Sequence, residues 1–318
     1  MTPPAADARS GHVAPTASGP RLLQGTAGRD LRNYLLALGF LSPSLLVFLF
    51  FVFIPLLRSV QLSVYSTNPL GQMRDFVGLE HYQRLFSDPE FYNSIRVSVT
   101  FAVYAVVLTV LGALGLSILG NIRLRGITIY RAVFSSTIAV SGATASLIFA
   151  FLFHPAIGVF NYILDLLGLP RVPWLTSTET ALFAVSWVTI WLSLGLNTII
   201  MLAGMQGIPD ELYEAARIDG AGFASQFRHV TLPLLSPTIF FLLVIDTLAA
   251  FQAFTQFNVL TRGGPVRSTN TIVYSIYRSF YFDGAYGYSS AMAVILLFIM
   301  LSLTMIQFFG LERKVFYQ

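Results

Sequence analysis

Residues 209–221 form a polar run between two strongly apolar segments and read Pro209-Asp210-Glu211-Leu212-Tyr213-Glu214-Ala215-Ala216-Arg217-Ile218-Asp219-Gly220-Ala221. The run predicts a short amphipathic helix, because proline suits its first position, acidic residues follow in the first turn, and Gly220 suits a helix stop. A second short helix is expected at 223–230, ended by Leu232 and Pro233. Two stiff helices at the mouth of a membrane bundle would offer a docking surface to a soluble partner.

The composition places the chain in a lipid bilayer. Of its 318 residues 55% are apolar and 11% charged, and the mean hydropathy of +0.70 is too high for a soluble domain of this size. The absence of cysteine excludes a disulfide framework, a thiolate metal site and a cysteine nucleophile. The net charge of +4 comes from scattered basic residues, so we predict no nucleic-acid binding.

Apolar runs of about 20 residues or more are long enough to cross a membrane as helices. The chain has six, at Tyr34–Leu57, Val97–Leu119, Ala132–Phe153, Ala181–Met205, Leu234–Phe257 and Ala291–Gly310. We therefore expect an all-α integral membrane protein with six transmembrane helices. Residues 1–32 read as a disordered cytosolic tail and 33–318 as the membrane domain. A cleaved signal peptide is the alternative, but the first apolar run is too long and no Ala-x-Ala site follows it.

The distribution of Lys and Arg predicts the orientation. With the amino terminus inside, the inner segments hold eleven basic residues and the outer ones eight. The clearest local signal is the second loop, where Arg123, Arg125 and Arg131 occur without an acidic residue. Both termini and the loop at 206–233 are then expected in the cytosol.

Enzyme signatures are absent from the sequence. It has no nucleotide phosphate loop, no nucleophile elbow and no H-E-x-x-H, and His12, His81, His154 and His229 lie far apart. We predict no catalytic residue and no metal ligand. If ATP drives transport, another subunit must hydrolyse it.

Asp246 is the only acidic residue in any predicted span, and it lies near the middle of the fifth. Placing a carboxylate there costs about 2.5–3.5 kcal/mol, so it should face the bundle interior or a wet cavity. It could line a translocation path or serve as a structural hydrogen-bond partner for a neighbouring helix. A proton relay is disfavoured, because no second intramembrane acid or lysine accompanies it.

Uncharged polar residues give further candidates for the translocation path. Ser193 and Asn197 lie one turn apart on the fourth span, and Gln252 and Gln256 lie one turn apart on the predicted fifth. Amides are expensive to expose to lipid and would suit a hydroxyl-rich solute, although such residues also hold helices together.

Two tryptophans and a glycine-rich loop complete the set of candidates. Trp187 and Trp191 stack one turn apart on the fourth span, either as ordinary packing or as a face for a sugar-like or choline-like ligand. The loop from Leu260 to Pro265 is turn-forming by composition.

The polar run resembles the EAA signature of permease subunits in bacterial ABC importers. The match is carried by Glu214-Ala215-Ala216, by Gly220 after three residues, and by Val230-x-Leu232-Pro233 nine residues later, with Val230 where isoleucine is commoner. The resemblance implies a type I ABC importer permease (MetI-like) bundle in a bacterial plasma membrane. It also implies that short coupling helices insert into a cleft of the ATPase subunit. The implied coupling residues are Glu214, Ala215, Ala216, Asp219, Gly220, Leu232 and Pro233.

A second set of motifs resembles the carbohydrate-type branch of these permeases. It consists of Thr261-Arg262-Gly263-Gly264-Pro265, Tyr274-x-x-Tyr277 and Gly287-Tyr288-Ser289-Ser290-Ala291. The branch implies a second, unlike permease, two ATPase copies that carry ATP and Mg²⁺, and an extracytoplasmic solute-binding protein on the side of Arg262, Gly263, Gly264 and Pro265. No cofactor is implied for this chain.

Resemblance to glycerol-3-phosphate permeases narrows the implied cargo. It is carried by residues 76–80, 218–222, 240–244 and 312–318. No Lys or Arg lies in mid-membrane, so either the binding protein reads the phosphate, or Arg58, Arg96, Arg262 or Arg278 near the outer ends contribute. A glycerophosphodiester such as glycerophosphocholine fits the aromatic, charge-poor interior, and a di- or oligosaccharide remains open.

A stand-alone proton-coupled carrier is the competing class. It would be expected to show an internal repeat and more intramembrane charges, and the sequence has neither. Which of the two permeases carries the substrate site stays open at this point.

Overall fold

A computed structural model describes residues 26–122, 125–312 and 315–316, with side chains from residue 33 onward except at 311. The chain divides into two compact units, Met1–Leu56 and Leu57–Gln318. Helix α1 (Thr26–Phe48), a π-helical turn (Leu49–Phe53) and α2 (Ile54–Leu62) come first in the chain.

The first membrane-length helix, Asn33–Leu62, is apolar along most of its length. From residue 33 to Leu56 its side chains are exposed, as expected for a helix that faces lipid. Residues 1–25 of the predicted tail lie outside the described residues. The helix starts at Thr26, so it includes the last residues of the segment that the sequence predicts to be a tail.

The second unit contains a small hairpin and the remaining helices. In order these are β1 (Tyr65–Thr67), β2 (Met73–Phe76), α3 (Glu80–Ser87), α4 (Pro89–Gly120), α5 (Ile127–Ser135), a 3-10 turn (Ser136–Ala139), α6 (Gly142–Leu152), α7 (Val159–Leu166), α8 (Ala181–Gln206), α9 (Asp210–Ile218), α10 (Phe223–Gln226), a π-helical turn (Phe227–Thr231), α11 (Leu232–Phe251), α12 (Thr255–Leu260), α13 (Ile272–Tyr281) and α14 (Tyr286–Leu311). The antiparallel strands pair Tyr65 with Phe76 and Thr67 with Met73.

The core of the second unit forms where α4 packs against α8 and α11. Phe101, Met201, Leu235 and Leu242 are buried there, and the ring of Phe101 meets Phe257 edge to face at 4.7 Å between centroids. Because lipid is as apolar as these side chains, close packing and not exclusion from water stabilises the contact.

Gly195 allows α8 to approach the 3-10 turn closely. A Cβ atom built on it would lie 2.2 Å from Thr137 Oγ1 and 2.4 Å from the Phe134 carbonyl oxygen. No residue other than glycine fits at this crossing without movement of the neighbouring backbone.

The predicted third span is broken. Ile127–Ala139 and Gly142–Leu152 are inclined at 104° to one another. Val140 is extended, and Ser141 caps α6 by accepting a hydrogen bond from the Thr144 backbone N–H at 3.2 Å. A side-chain cap of this kind offers the backbone an alternative to continued helix, which is why the apolar run does not continue straight.

Within the described part of the chain, five helices are long and apolar enough to cross a membrane, or six if the bent pair counts as one span. The predicted number of six spans is therefore reached only if the bent pair is counted as one span. The fourth span is placed within one residue of its prediction. The second and the last begin earlier, at Pro89 and Tyr286, because their first turns contain polar residues that the apolar pattern does not include.

Candidate functional site

The polar run folds as the sequence predicts. Helix α9 occupies Asp210–Ile218, with Pro209 at its N-cap and acidic residues in the first turn. Gly220 follows with φ +79°, a left-handed conformation that favours glycine. The predicted amphipathic helix and its stop are confirmed.

Helix α9 is fixed to the start of the next span by hydrogen bonds. The hydroxyls of Tyr213 and Thr231 are 3.0 Å apart, and Gln226 Nε2 donates to the Ala221 carbonyl at 2.7 Å. Glu214 and Gly220 remain exposed, as do Ala215 and Asp219, whereas Ala216 is half-buried. The predicted coupling residues on α9 thus lie on a helix that is held in place and still accessible.

The second predicted helix does not end at Leu232-Pro233, because 223–251 is one continuous helix. Its five residues Phe227–Thr231 form a π-helical turn in which the Leu232 N–H donates to the Phe227 carbonyl. The wider turn accommodates Pro233, which has no N–H to continue an ordinary α-helical ladder. The expectation of two separate short helices is therefore wrong for the second.

Sequence reasoning missed the apolar surface of this region. Ile218 is 87% exposed and Phe223 is 73% exposed, on either side of Gly220. Large apolar side chains exposed together on a polar loop are typical of a protein-protein contact. The sequence already showed this signal, since both are large apolar residues close to the predicted helix stop at Gly220.

A cavity of about 1090 Å³ separates α9 from the ends of the spans. Its polar lining includes Asn121, Arg131, Gln206, Asp210, Glu214, Arg217 and Gln226. The Arg131 guanidinium donates twice to the Gly120 carbonyl, at 3.0 and 2.8 Å, and so caps the carboxyl end of α4.

Inside the membrane, Asp246 and Asn197 are brought together. Asn197 Nδ2 donates to Asp246 Oδ1 at 3.2 Å and to the Ser193 carbonyl at 3.0 Å. Asn197 Oδ1 and Asp246 Oδ2 are buried and have no hydrogen-bond partner among the described residues. Asn197 is fully buried between helices, while Asp246 is half-buried.

Gln252 and Gln256 do not share a helix, which corrects the predicted fifth span. Helix α11 ends at Phe251, Gln252 caps it and is exposed, and Gln256 lies on the separate helix α12. The break at 252–254 therefore removes the one-turn spacing on which their pairing rested.

The two tryptophans have different neighbours instead of stacking on one another. Trp191 meets Phe149 edge to face at 5.5 Å, and Trp187 lies 6.4 Å from Phe183. Trp187 is 45% exposed and lines an apolar cavity of about 230 Å³ with Phe153, Phe160, Trp174, Phe183 and Ala184.

The glycine-rich loop lies at the end of the bundle opposite to α9. Gly263 has φ +80°, and a Cβ on it would lie 2.9 Å from the Tyr274 ring. Thr269 Oγ1 donates to the Gly264 carbonyl at 2.7 Å, and the peptide bond to Pro265 is cis. The motif residues Gly263 and Tyr274 thus meet in space, which their resemblance alone did not indicate.

A ladder of rings at this end was also missed. We call Phe254, Tyr274, Tyr277 and Tyr281 the ring ladder. Phe254 lies 4.7 Å from Tyr277, and the rings of Tyr277 and Tyr281 are stacked at 5.5 Å with an interplanar angle of 8°. The ladder runs from Tyr274, which is 6% exposed, to Tyr281, which is 69% exposed. The spacing of the three tyrosines, by three and then four residues, could have indicated a shared helical face.

Comparison with known proteins extends over most of the chain. Residues 129–316 match the family described as binding-protein-dependent transport system inner membrane component. The chain is 35% identical over 280 residues to the probable ABC transporter permease protein YurN of Bacillus subtilis, covering 87% of this chain and 96% of that one. It is also 35% identical over 279 residues to the sn-glycerol-3-phosphate transport system permease protein UgpA of Pectobacterium atrosepticum, covering 87% and 94%.

Among solved structures, the fold is similar to a chain of a bacterial alginate ABC transporter, crystallised in complex with an alginate pentasaccharide-bound periplasmic protein. The TM-score is 0.76 at 24% identity, over 88% of this chain and 94% of that chain. The predicted all-helical permease bundle is thereby confirmed.

Proposed function

The chain belongs to the family of inner membrane components of binding-protein-dependent transport systems, and from this premise we propose that it imports a phosphorylated polyol. It is a multi-pass inner-membrane permease of an ABC importer and not the catalytic subunit. The proposed cargo is glycerol-3-phosphate or a glycerophosphodiester such as glycerophosphocholine, delivered by an extracytoplasmic binding protein.

One observation carries the proposed cargo. Similarity to glycerol-3-phosphate permeases, at 35% identity, extends over 87–90% of the chain in several relatives and is not confined to the signature loop. The alternative cargo, a di- or oligosaccharide, is favoured by the apolar cavity beside Trp187, since sugar rings stack on aromatic faces.

The assembly that we propose contains a second, unlike permease and two ATPase subunits, which bind ATP and Mg²⁺. Helix α9 would insert into the ATPase, with Glu214, Ala215 and Ala216 in contact and Gly220 setting the turn. Asp219, Leu232 and Pro233 complete the proposed coupling region. The exposed Ile218 and Phe223 support this assignment, because a partner would cover them.

For the translocation path we propose the polar residues between α8 and α11 and their neighbours at the outer end. These are Ser193, Asn197, Asp246, Gln252, Gln256, Trp187 and Trp191. The unsatisfied Oδ2 of Asp246 supports the proposal, since a buried oxygen without a partner can accept a hydrogen bond from a passing hydroxyl. The loop from Arg262 to Pro265 would face the binding protein.

The cargo is tested by uptake into proteoliposomes that contain the complete complex. Loaded binding protein is supplied with labelled glycerol-3-phosphate, glycerophosphocholine or maltose, and ATP is placed on the ATPase side. We expect ATP-dependent uptake of a phosphate-bearing solute. Uptake of maltose alone would replace the proposed cargo by the sugar, and uptake without ATPase subunits would contradict the importer itself.

A further inference from the structure

Two arginines lie on the segments that meet at the ring ladder. Arg262 directly precedes Gly263, whose backbone packs on the Tyr274 ring, and Arg278 follows Tyr274 by one turn of α13. Burial and the neighbouring Tyr277 raise the pKa of the Tyr274 hydroxyl, while the positive charges of Arg262 and Arg278 act in the opposite direction. Both charges therefore act on the same ring.

Neither of these arginines is neutralised within the described part of the chain. Two other arginines at this end of the bundle are neutralised, since Arg171 forms an ion pair with Asp165 at 2.7 Å and Arg267 pairs with Glu90. An unpaired guanidinium presents a planar fork of donors that matches the oxygens of a phosphate.

Stabilisation of a helix end accounts for the position of Arg278 but not for that of Arg262. Arg278 lies in the last turn of α13, where the helix dipole favours a cation. Arg262 lies outside a helix and adopts a left-handed conformation with φ 50°, which is uncommon for a residue with a side chain. Such strained positions persist where the surrounding structure holds them, often at binding sites.

We propose that Arg262, Arg278 and the ring ladder form a binding site for the phosphate and carbon chain of a phosphorylated polyol. The site lies at the end of the bundle opposite to α9, and the proposal rests on the proposed function. The guanidinium groups take the phosphate, and the face of the exposed Tyr281 ring that does not stack on Tyr277 takes the C–H groups of the polyol. This site provides the positive charge that the middle of the membrane lacks.

The test uses the complete complex in proteoliposomes with saturating glycerol-3-phosphate-loaded binding protein. Arg262→Gln and Arg278→Gln should each lower the maximal uptake rate about tenfold, the loss of one charge-assisted contact. The ATPase subunits should still copurify with both variants, because α9 lies at the opposite end of the bundle. Raising the ionic strength should reduce the difference in maximal uptake rate between each variant and the unmodified complex, because salt screens an exposed charge.

Arg171→Gln is the matched control. It removes a guanidinium at the same end of the bundle, but one that Asp165 already neutralises and that lies outside the ring ladder. Its uptake should equal that of the unmodified complex. An equal fall in the uptake rate of Arg171→Gln would contradict the proposed phosphate site, because the loss of any surface charge would then have the same effect.

The remaining outcomes separate the site from the proposed cargo. Normal glycerol-3-phosphate uptake by both Gln variants would overturn the site and leave the proposed function standing. Absence of uptake of every phosphate-bearing solute by the unmodified complex would overturn both. If a Gln variant fails to assemble, Arg278→Lys, which keeps the charge, should retain uptake, and Tyr281→Leu at an exposed position should lower it about threefold.

Discussion

Asp246 makes one hydrogen bond in the middle of a membrane helix and leaves its second oxygen without a partner among the described residues. Its neighbour Thr247 gives a useful contrast. Thr247 Oγ1 accepts a hydrogen bond from Gln307 Nε2 at 2.9 Å and donates to the Leu243 carbonyl at 2.6 Å. The Thr247 hydroxyl is therefore fully hydrogen-bonded and joins α11 to α14. The Asp246 carboxylate joins α11 to α8 and can still accept a further hydrogen bond.

Asp246→Ala should change the kinetics of uptake while the complex assembles normally, because a free acceptor on the proposed path is lost. Thr247→Ala is the matched control, since it removes an interhelical hydrogen bond of the same kind from the next residue. Each change should cost about 0.6 kcal/mol of stability, the average for intramembrane hydrogen bonds. Uptake assays and thermal unfolding of the purified complex measure the two effects.

The comparison between these variants decides between the two readings of Asp246. If both lose the same stability and both transport normally, Asp246 is a packing residue. If only Asp246→Ala alters uptake, the carboxylate contacts the cargo or the water that accompanies it.

At the scale of elements, the proposed coupling role of α9 can be tested by reversing one charge on the helix and by disfavouring the left-handed turn that follows it. In Glu214→Lys and Gly220→Leu, association with the ATPase should weaken and uptake should fall, while the external protein still binds its solute. A Cβ atom added at Gly220 would meet no neighbour within 4 Å, so the expected effect comes from the left-handed backbone, which disfavours a side chain by roughly 1–2 kcal/mol. Copurification of the ATPase and stimulated ATP hydrolysis are the measurements.

Glu179→Lys gives the matched charge reversal at the opposite end of the bundle, where the glutamate is also exposed. It should leave association with the ATPase intact. Normal ATPase stimulation and uptake in both Glu214→Lys and Gly220→Leu would show that α9 is not the coupling element.

Helix α9 could be predicted from the sequence because its signals are local. Proline, acidic residues and glycine each act within one turn of the position that they set. The break at Val140–Ser141 and the π-helical turn before Pro233 could not be placed in this way. In both, a side chain or a missing N–H redirects backbone hydrogen bonds inside an apolar run, and the hydropathy pattern does not change there.

The candidate site was predictable only in part for a related reason. Asn197 and Asp246 stand out individually as polar residues in apolar spans, and the structure pairs them across 49 positions of sequence. The ring ladder combines α13 with Phe254, which lies in the break after α11. The contact between Phe254 and α13 depends on α11 ending at Phe251. The predicted fifth span continued to Phe257, so the sequence pattern did not indicate this contact.

At the scale of the molecule, the proposed coupling region and the ring ladder lie at opposite ends of long helices. Helix α8 has 26 residues and is therefore about 39 Å long. The continuous helix Phe223–Phe251 leads from the residues after α9 to the break beside Phe254. No ligand could touch both ends at once, so coupling between them requires movement of these helices as rigid elements.

This arrangement imports solute only if α9 faces the cytosol, and the excess of basic residues on its side predicts that orientation. Because the chain has no cysteine, single introduced cysteines can report it without background. Thr178→Cys lies before α8, and Asn121→Cys lies after α4, both at exposed positions on opposite ends of the bundle. A membrane-impermeant maleimide should label Thr178→Cys on intact spheroplasts and Asn121→Cys only in inverted vesicles. The reverse pattern would place the ring ladder in the cytosol and contradict both the coupling assignment and the proposed phosphate site, whereas the unmodified chain should stay unlabelled in either preparation.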